Sequence, residues 1–105
     1  MPVPPVLTAE ERAAALEKAA RVRKERSEVK AQLKHGTTTL PYVLGQGKTD
    51  DVIGKMKVTE LIEAMPGVGP VSRAQIMERL GIADSRRVRG LGQNQRAALE
   101  LEFAA

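Results

Sequence analysis

The sequence predicts an all-α protein, because its apolar residues recur at helical spacing and no stretch alternates apolar and polar residues as a half-buried strand would. Prolines, glycines and capping residues divide the chain into one long helical segment followed by several short ones. We therefore expect two parts: a lead-in and long basic helix over residues 1–36, and a compact bundle of short helices over residues 37–105. With Tyr42 and Phe103 as the only aromatic residues, the small core must be built from aliphatic side chains.

The first helix is predicted over residues 9–35. Thr8 followed by Glu11 is a capping-box pattern at its start, and Gly36 is suited to end it. The prolines within residues 1–7 predict an irregular, poorly ordered lead-in before it. A helix of this length would extend roughly 40 Å. Its apolar stripe is narrow, so much of the helix is expected to project into solvent.

Three short helices are predicted in the middle of the chain. The first begins at Leu40 with Thr39 as its cap, and proline in its first turn is compatible with that start. The second is expected to be capped by Thr49 and to end near Gly54. The third covers residues 58–65, where apolar residues fall at helical spacing before a Pro-Gly pair.

Two further helices are predicted near the end of the chain, over residues 70–80 and 93–103. The first is expected to bury one apolar side, made of Val71, Ala74, Met77 and Leu80. The second is expected to bury Ala97 and Leu101, together with Leu99 and Phe103. The connector between these helices is predicted to hold a single turn over residues 85–88, which Val88 would anchor in the core.

A segment in the second half of the chain occurs twice, 23 residues apart. Residues 67–76 align without a gap on residues 90–99, and both read Gly-apolar-Gly, three residues, then Arg-Ala-x-aliphatic. Glycines before a helix permit a tight turn, and the first amides of that helix can hold an anion because they lack internal partners. The repeat favours two backbone sites for phosphate over plain glycine-rich turns. They are Gly67, Val68 and Gly69, and Gly90, Leu91 and Gly92.

The charge of the chain favours a polyanion as its partner. The formal net charge is +4 and the pI is about 9.8, with basic residues concentrated in residues 18–35 and 66–105. The cations of the long helix spread around its surface, so a solvated helix is the simpler interpretation. The alternative interpretation is that this helix contacts DNA in addition to the two predicted turns. The cations concerned are Lys18, Arg21, Arg23, Lys24, Arg26, Lys30 and Lys34.

Further cations lie beside the predicted turns. Arg86, Arg87 and Arg89 directly precede the second Gly-x-Gly, and one nearby acidic residue cannot neutralise three guanidinium groups that are suited to phosphate contact. The repeated arginines leave two alternatives open, since each can reach a phosphate or pair with a glutamate of its own helix. These arginines are Arg73 and Arg96. Lys55 and Lys57 either extend the binding surface or belong to a solvated linker.

Several classes of function are not expected. The chain has no cysteine, which excludes disulfides, thiol catalysis and cysteine-bound zinc. With His35 as its one histidine, no metal or other cofactor is expected. No apolar stretch reaches the length of a membrane span, so we expect a cytoplasmic protein without membrane contact. No uninterrupted heptad seam favours a coiled coil, and a monomer is expected.

Three motifs resemble the actinobacterial integration host factor family. They are the opening over residues 7–20, Gly54-Lys55-Met56-Lys57-Val58 in the middle, and Arg86-Arg87-x-Arg89-Gly90-Leu91-Gly92 near the end. The resemblance covers nearly the whole chain. It implies an all-helical protein with a helix-two-turn-helix region that binds double-stranded DNA with little sequence preference. It also implies a non-enzymatic, nucleoid-associated role in bending or organising DNA and in phage integration, where a phage integrase would share the DNA.

This chain departs from that family at the first turn. Family members carry lysines there, whereas this chain has Pro66-Gly67-Val68-Gly69-Pro70, so we expect weaker binding at this turn. Two other functions stay open. A small-subunit ribosomal protein has a similar double turn, which allows structural binding of ribosomal RNA. DNA glycosylases with an N-terminal proline also have such a region, but Val3 follows Pro2 here, where these enzymes need an acidic residue.

Overall fold

The computed structural model describes residues 8–104, which form α-helices and one 3₁₀ helix and contain no strand. The elements are α1 (Ala9–His35), α2 (Leu40–Gln46), α3 (Asp51–Lys55), α4 (Val58–Ala64), α5 (Pro70–Leu80), the 3₁₀ helix η1 (Val88–Gly90) and α6 (Gln93–Glu102). This arrangement confirms the all-α prediction, with a long helix followed by short ones. The predicted irregular lead-in, Pro2 included, lies outside the described residues.

The long helix α1 begins and ends where its capping residues predicted. Thr8 Oγ1 accepts a hydrogen bond from the amide of Glu11 at 3.0 Å, and Gly36 adopts the left-handed conformation with φ 74°. Only the C-terminal half packs on the bundle, where Val29 and Leu33 are buried against α3 and α4. Residues 9–21 are exposed throughout. As predicted, much of α1 therefore projects into solvent.

The core is aliphatic, as the lack of aromatic residues required. It lies between the second half of α1 and the short helices and is made of Val29, Leu33, Leu40, Val43, Leu44, Ile53, Met56, Val58, Leu61, Ile62, Met77, Ile82, Val88 and Leu99. Phe103 is partly buried and packs against this cluster, whereas Tyr42 is 62 % exposed. The core holds the short helices together and leaves the first half of α1 outside it.

The cap predicted for α3 is wrong by one residue. Asp50, not Thr49, is the N-cap, because its carboxylate Oδ1 accepts hydrogen bonds from the amides of Val52 and Ile53 at 2.9 and 3.2 Å. The Thr49 hydroxyl instead donates to the carbonyl of Gln46 at the end of α2, at 3.4 Å. Two adjacent capping residues thus serve different helices.

The buried faces predicted for α5 and α6 are also wrong in part. Val71 and Leu101 are 72 % and 78 % exposed, and Ala74 and Ala97 are exposed as well. The side of α5 that faces the bundle carries Ile76, Met77 and Leu80 together with a half-buried Arg73, and the corresponding side of α6 carries Arg96, Leu99 and Phe103. The buried face of each helix therefore differs from the one that apolar spacing alone predicts, because it includes an ion-paired arginine.

The single turn predicted over residues 85–88 is replaced by two features: a turn closed by the amide of Arg86 and the carbonyl of Ala83 at 2.9 Å, and η1 from Val88. Val88 is buried, as predicted. Its amide donates to the carbonyl of Met56 at 2.9 Å, and the amide of Val58 donates to the carbonyl of Arg86 at 3.0 Å. These two bonds keep residues 86–88 extended alongside residues 56–58, so helical turning begins only at Val88.

The described residues contain no helix with an apolar stretch sufficient to cross a membrane; even α1 is too polar.

Candidate nucleic-acid interface

The two repeated turns have the same backbone hydrogen bonds. In each turn the amide of the apolar residue between the glycines, Val68 or Leu91, donates to the carbonyl three residues before it at 3.2 Å. The second glycine of each, Gly69 or Gly92, is the N-cap of the next helix and has an extended backbone. Because both caps are glycines, no cap side chain accepts a hydrogen bond from the amides that follow in α5 or α6. Pro70 has no amide hydrogen, so the amides of Val71 and Ser72 in α5, and those of the first turn of α6, remain available to an anion.

The turns differ in how rigidly they are held. Gly67 has φ 77°, a conformation that favours glycine, whereas Gly90 ends η1 with a negative φ. In the second turn the amide of Gly92 donates to Gln95 Oε1 at 3.1 Å, while Gln95 Nε2 donates to the carbonyl of Gly81 at 2.9 Å. Gln95 thus braces the second turn against the C-terminal end of α5. The first turn has no equivalent side-chain brace among the hydrogen bonds of the described residues.

A basic groove lies directly before the second turn. It is an open depression of about 580 Å³ whose lining contains four cations and no acidic residue: Gly54, Lys55, Ala83, Ser85, Arg86, Arg87, Arg89 and Gly90. We refer to these residues as the arginine groove. All four cationic side chains are exposed. The three arginines before the second turn therefore lie on one surface with Lys55, which was one of the two alternatives left open for that lysine.

Each arginine of the groove is oriented by one hydrogen bond. Arg86 Nη1 donates to the carbonyl of Gly90 at 3.0 Å, and Arg87 Nη1 donates to the carbonyl of Lys55. Arg89 Nη2 pairs with Asp51 Oδ1 at 2.7 Å. Because a backbone carbonyl carries no net charge, the positive charges of Arg86 and Arg87 have no opposite charge beside them. These two groups can therefore offer their remaining N–H donors, and their full charge, to a phosphate.

Close backbone approach gives the arginine groove its shape. A Cβ atom at Gly54 would lie 2.9 Å from both Nε and Nη2 of Arg89 and 2.7 Å from the carbonyl oxygen of Gly47. The guanidinium of Arg89 therefore lies close to the backbone of α3 at Gly54 and pairs with Asp51. Neither Gly54 nor Asp51 was predicted from the sequence to be part of the site. A glycine inside a short helix was the signal that another group approaches its backbone closely.

The repeated arginines form ion pairs in this structure. Arg73 Nε lies 2.8 Å from Glu63 Oε1, and its Nη1 lies 3.4 Å from Asp84 Oδ1. Arg96 Nε lies 2.9 Å from Glu100 Oε1. Pairing with a glutamate of its own helix, one of the two alternatives for each arginine, thus occurs for Arg96, whereas Arg73 pairs outside α5 and not with Glu78. Asp84, the acid nearest the groove arginines in sequence, thus pairs with Arg73 instead. DNA contact by the repeated arginines stays a prediction.

The remaining predicted cations are Lys57, beside the arginine groove, and the basic residues of α1. Lys57 lies beside buried Met56, and its backbone forms an isolated antiparallel bridge with Arg87 at the groove. On α1, none of the basic side chains forms an ion pair within the described residues. Most of these cations are exposed, and Arg26 and Lys30 are half-buried. Their charge is thus available on the surface.

Comparison with known proteins gives a consistent assignment. The family described as "S13-like H2TH domain" matches residues 33–103. The chain is 63 % identical to the integration host factor of Streptomyces coelicolor, over all of this chain and 97 % of that protein. It is 54 % identical to the integration host factor of Mycobacterium tuberculosis, over 96 % of each chain.

One solved structure has the same fold. It is described as sIHF bound to an 8-bp palindromic DNA, and its chain is 62 % identical in sequence with a TM-score of 0.82. The match covers 84 % of this chain and 99 % of that one. Full-length identity, the matched domain and this shared fold place the chain in one family: it belongs to the actinobacterial integration host factors.

Proposed function

We propose that this protein is an architectural DNA-binding protein that grips the phosphate backbone of double-stranded DNA with little sequence preference. The observation that carries the proposal is the arginine groove, which joins four exposed cations to the free amides at the start of α6. A relative with 62 % sequence identity has been solved bound to DNA. Both kinds of donor suit phosphate oxygens, and contacts of this kind position a protein without reading bases.

The turns and the groove would act together on the duplex. The amides that begin α5 and α6 would each hold a phosphate, and Arg86 and Arg87 would add charge beside the second turn. Lys55 lines the same groove at the end of α3, and Lys57 lies beside it, where its backbone pairs with that of Arg87. If the duplex follows this surface, the protein–phosphate contacts offset the few kcal/mol that bending costs. DNA bending is therefore part of the proposal.

Family membership supports the wider role. The proposal includes association with the nucleoid, action as a monomer and support of phage integration, with the integrase bound to the same DNA. The unpaired cations of α1 support an additional contact between that helix and DNA. Membership of the integration host factor family also confirms the prediction that the protein is not an enzyme.

The test is a titration of the double variant Arg86→Ala and Arg87→Ala with several unrelated duplexes. Each lost phosphate contact should flatten the salt dependence by about 0.9, which corresponds to roughly fivefold weaker binding near 0.15 M salt. Two lost contacts should thus weaken binding about 30-fold, and equally for all sequences. Arg79→Ala is the control, because Arg79 is exposed but pairs with Glu102 away from the groove lining.

Two results would contradict the proposal. Unchanged affinity and salt dependence in the double variant would exclude the groove as the phosphate site. Strong discrimination between duplex sequences would exclude a mainly backbone-directed grip. Competition with structured ribosomal RNA tests the remaining alternative, since clear preference for that RNA would favour structural RNA binding over a DNA architectural role.

A further inference from the structure

A second basic depression adjoins the arginine groove. It is a small cleft of about 130 Å³ between α1 and α3, lined by Lys18, Val22, Arg26, Asp51, Val52 and Lys55. We refer to these residues as the α1–α3 cleft. Lys55 lines both depressions, and Asp51 in the cleft pairs with Arg89 of the groove. The two depressions are therefore continuous parts of one face.

Asp51 is the only acidic residue among the described ones that lines either depression. Its carboxylate accepts a hydrogen bond from Arg89, and its side chain is 77 % exposed. The hydrogen bond and charge of Arg89, and more weakly the charges of Lys55 and Lys18, lower the pKa of Asp51. A single exposed carboxylate thus stays ionised among cations from three elements, which is the environment that a phosphate group also requires.

Arg26, which lines the cleft, provides a second and independent observation, an unsatisfied hydrogen-bond donor. Its Nε is shielded from solvent and has no hydrogen-bond partner among the described residues. A shielded donor of this kind costs free energy until an acceptor reaches it. Lys18 and Arg26 are eight residues apart on α1, so they lie on the same side of the helix with Val22 between them. Both therefore face the cleft, whereas other cations of α1 point elsewhere.

We propose that the α1–α3 cleft holds a backbone phosphate of the same DNA duplex that occupies the arginine groove, and that Asp51 competes with this phosphate and limits affinity. The inference rests on the proposed function and makes it more specific. Contact by α1 is confined to Lys18 and Arg26, which extend the primary surface through Lys55. Because α3 packs on both α1 and η1, the spacing between cleft and groove is fixed by the fold.

The first test compares two double variants of α1 that remove equal charge. Lys18→Gln with Arg26→Gln removes the cleft cations, and Arg21→Gln with Lys24→Gln removes two cations outside the cleft. With protein and a short duplex bound one to one, the cleft variant should bind at least fivefold more weakly than the control near 0.15 M salt. Its salt dependence should be flatter by about 0.9 for each lost contact. Equal affinities in the two variants would overturn the proposal.

The second test removes the competing carboxylate and does not depend on how well Arg26→Gln folds. Asp51→Asn should bind about fivefold more tightly near 0.15 M salt and steepen the salt dependence by about 0.9. Glu78→Gln is the charge-matched control, since Glu78 is exposed and lines neither depression. Equal or weaker binding by Asp51→Asn, relative to this control, would overturn the proposed competition.

Failure of the inference is distinguishable from failure of the proposed function. If changes at Arg86 and Arg87 weaken binding but changes at Lys18 and Arg26 do not, the function stands and the cleft has no part in it. If the cleft variant binds one duplex normally but no longer joins two duplexes, α1 contacts separate DNA and the same-duplex proposal is wrong. If the unaltered protein does not bind duplex DNA, the function itself is wrong.

Discussion

Gly54 lies where the fold and the arginine groove depend on one missing side chain. It is buried inside α3, and a methyl group added to it would make severe contacts. The Cβ of alanine would lie 2.7 Å from the carbonyl oxygen of Gly47 and 2.9 Å from two nitrogens of Arg89. The arginine can swing aside, but the carbonyl belongs to the backbone. Gly54→Ala must therefore move α3 relative to the segment that follows α2.

The expected size of the effect follows from two opposing terms. Alanine is preferred over glycine inside a helix by about 0.5–1 kcal/mol, whereas forcing an extra carbon into a packed site costs about 1–3 kcal/mol. The midpoints of these two ranges predict a loss of about 1.2 kcal/mol of unfolding free energy, with an upper limit of about 2.5 kcal/mol. For a domain of this size, each kcal/mol lowers Tm by about 4–8 °C. Displacement of Arg89 should weaken binding to duplex DNA at the same time.

Gly45→Ala is the matched control, because Gly45 also lies inside a short helix. A Cβ there meets only Arg96 Nη2, at 3.6 Å, which is an ordinary contact. This control should gain about 0.5–1 kcal/mol and bind DNA normally. Urea unfolding followed by circular dichroism measures both variants. If Gly54→Ala is as stable as the unaltered protein, or changes in the same direction as Gly45→Ala, the close approach at Gly54 has no energetic role.

Two further predictions concern the start of α3. Asp50→Ala should lose about 1 kcal/mol of unfolding free energy because two amides lose their cap, whereas Thr49→Ala should change it by less than about 0.5 kcal/mol; equal losses in urea unfolding would contradict the observed cap. The pKa of Glu25 is raised by burial and by the hydrogen bond and charge of Asp50, so the folded state binds this proton more tightly than the unfolded state does. Ionised Glu25 therefore destabilises the fold at neutral pH, and Glu25→Gln should stabilise it by up to about 0.5 kcal/mol there. The advantage should shrink as the pH falls and Glu25 takes up its proton; a constant or growing advantage would refute this assignment.

Local interactions account for what could be predicted from the sequence. The ends of α1 follow from Thr8 and Gly36, which act on backbone groups a few residues away. The cations beside the second turn were predictable for the same reason, since they adjoin the repeated glycines in sequence. Capping residues give an ambiguous prediction only where two of them are adjacent. The sequence alone does not show which of Thr49 and Asp50 caps which helix.

Interactions between distant residues account for what could not be predicted. The buried face of α5 includes the half-buried Arg73, whose partner Glu63 lies ten residues away on another helix. The Arg89–Asp51 pair joins residues 38 positions apart. A prediction from apolar periodicity assumes that every arginine lies on the surface. It therefore assigns the wrong buried face to a helix in which an ion pair allows an arginine to be half-buried. Asp51, the acidic residue of the candidate site, could not be predicted because its partner Arg89 is distant in sequence.

The repeat therefore combines a shared backbone function with unshared side-chain chemistry. Its arginines lie at equivalent positions and both are half-buried in ion pairs, but Arg73 pairs with Glu63 of α4 whereas Arg96 pairs with Glu100 of its own helix. What the two copies offer a polyanion in common is the amides that follow the first residue of each helix, since Pro70 at the start of α5 has no amide hydrogen. The exposed guanidinium groups come from residues 86–89, outside the repeated segment, and two backbone bonds hold that loop against residues 56–58. Since these bonds exist only at the second turn, the charge that attracts DNA is concentrated on one side of the pair, beside Lys55 and α1.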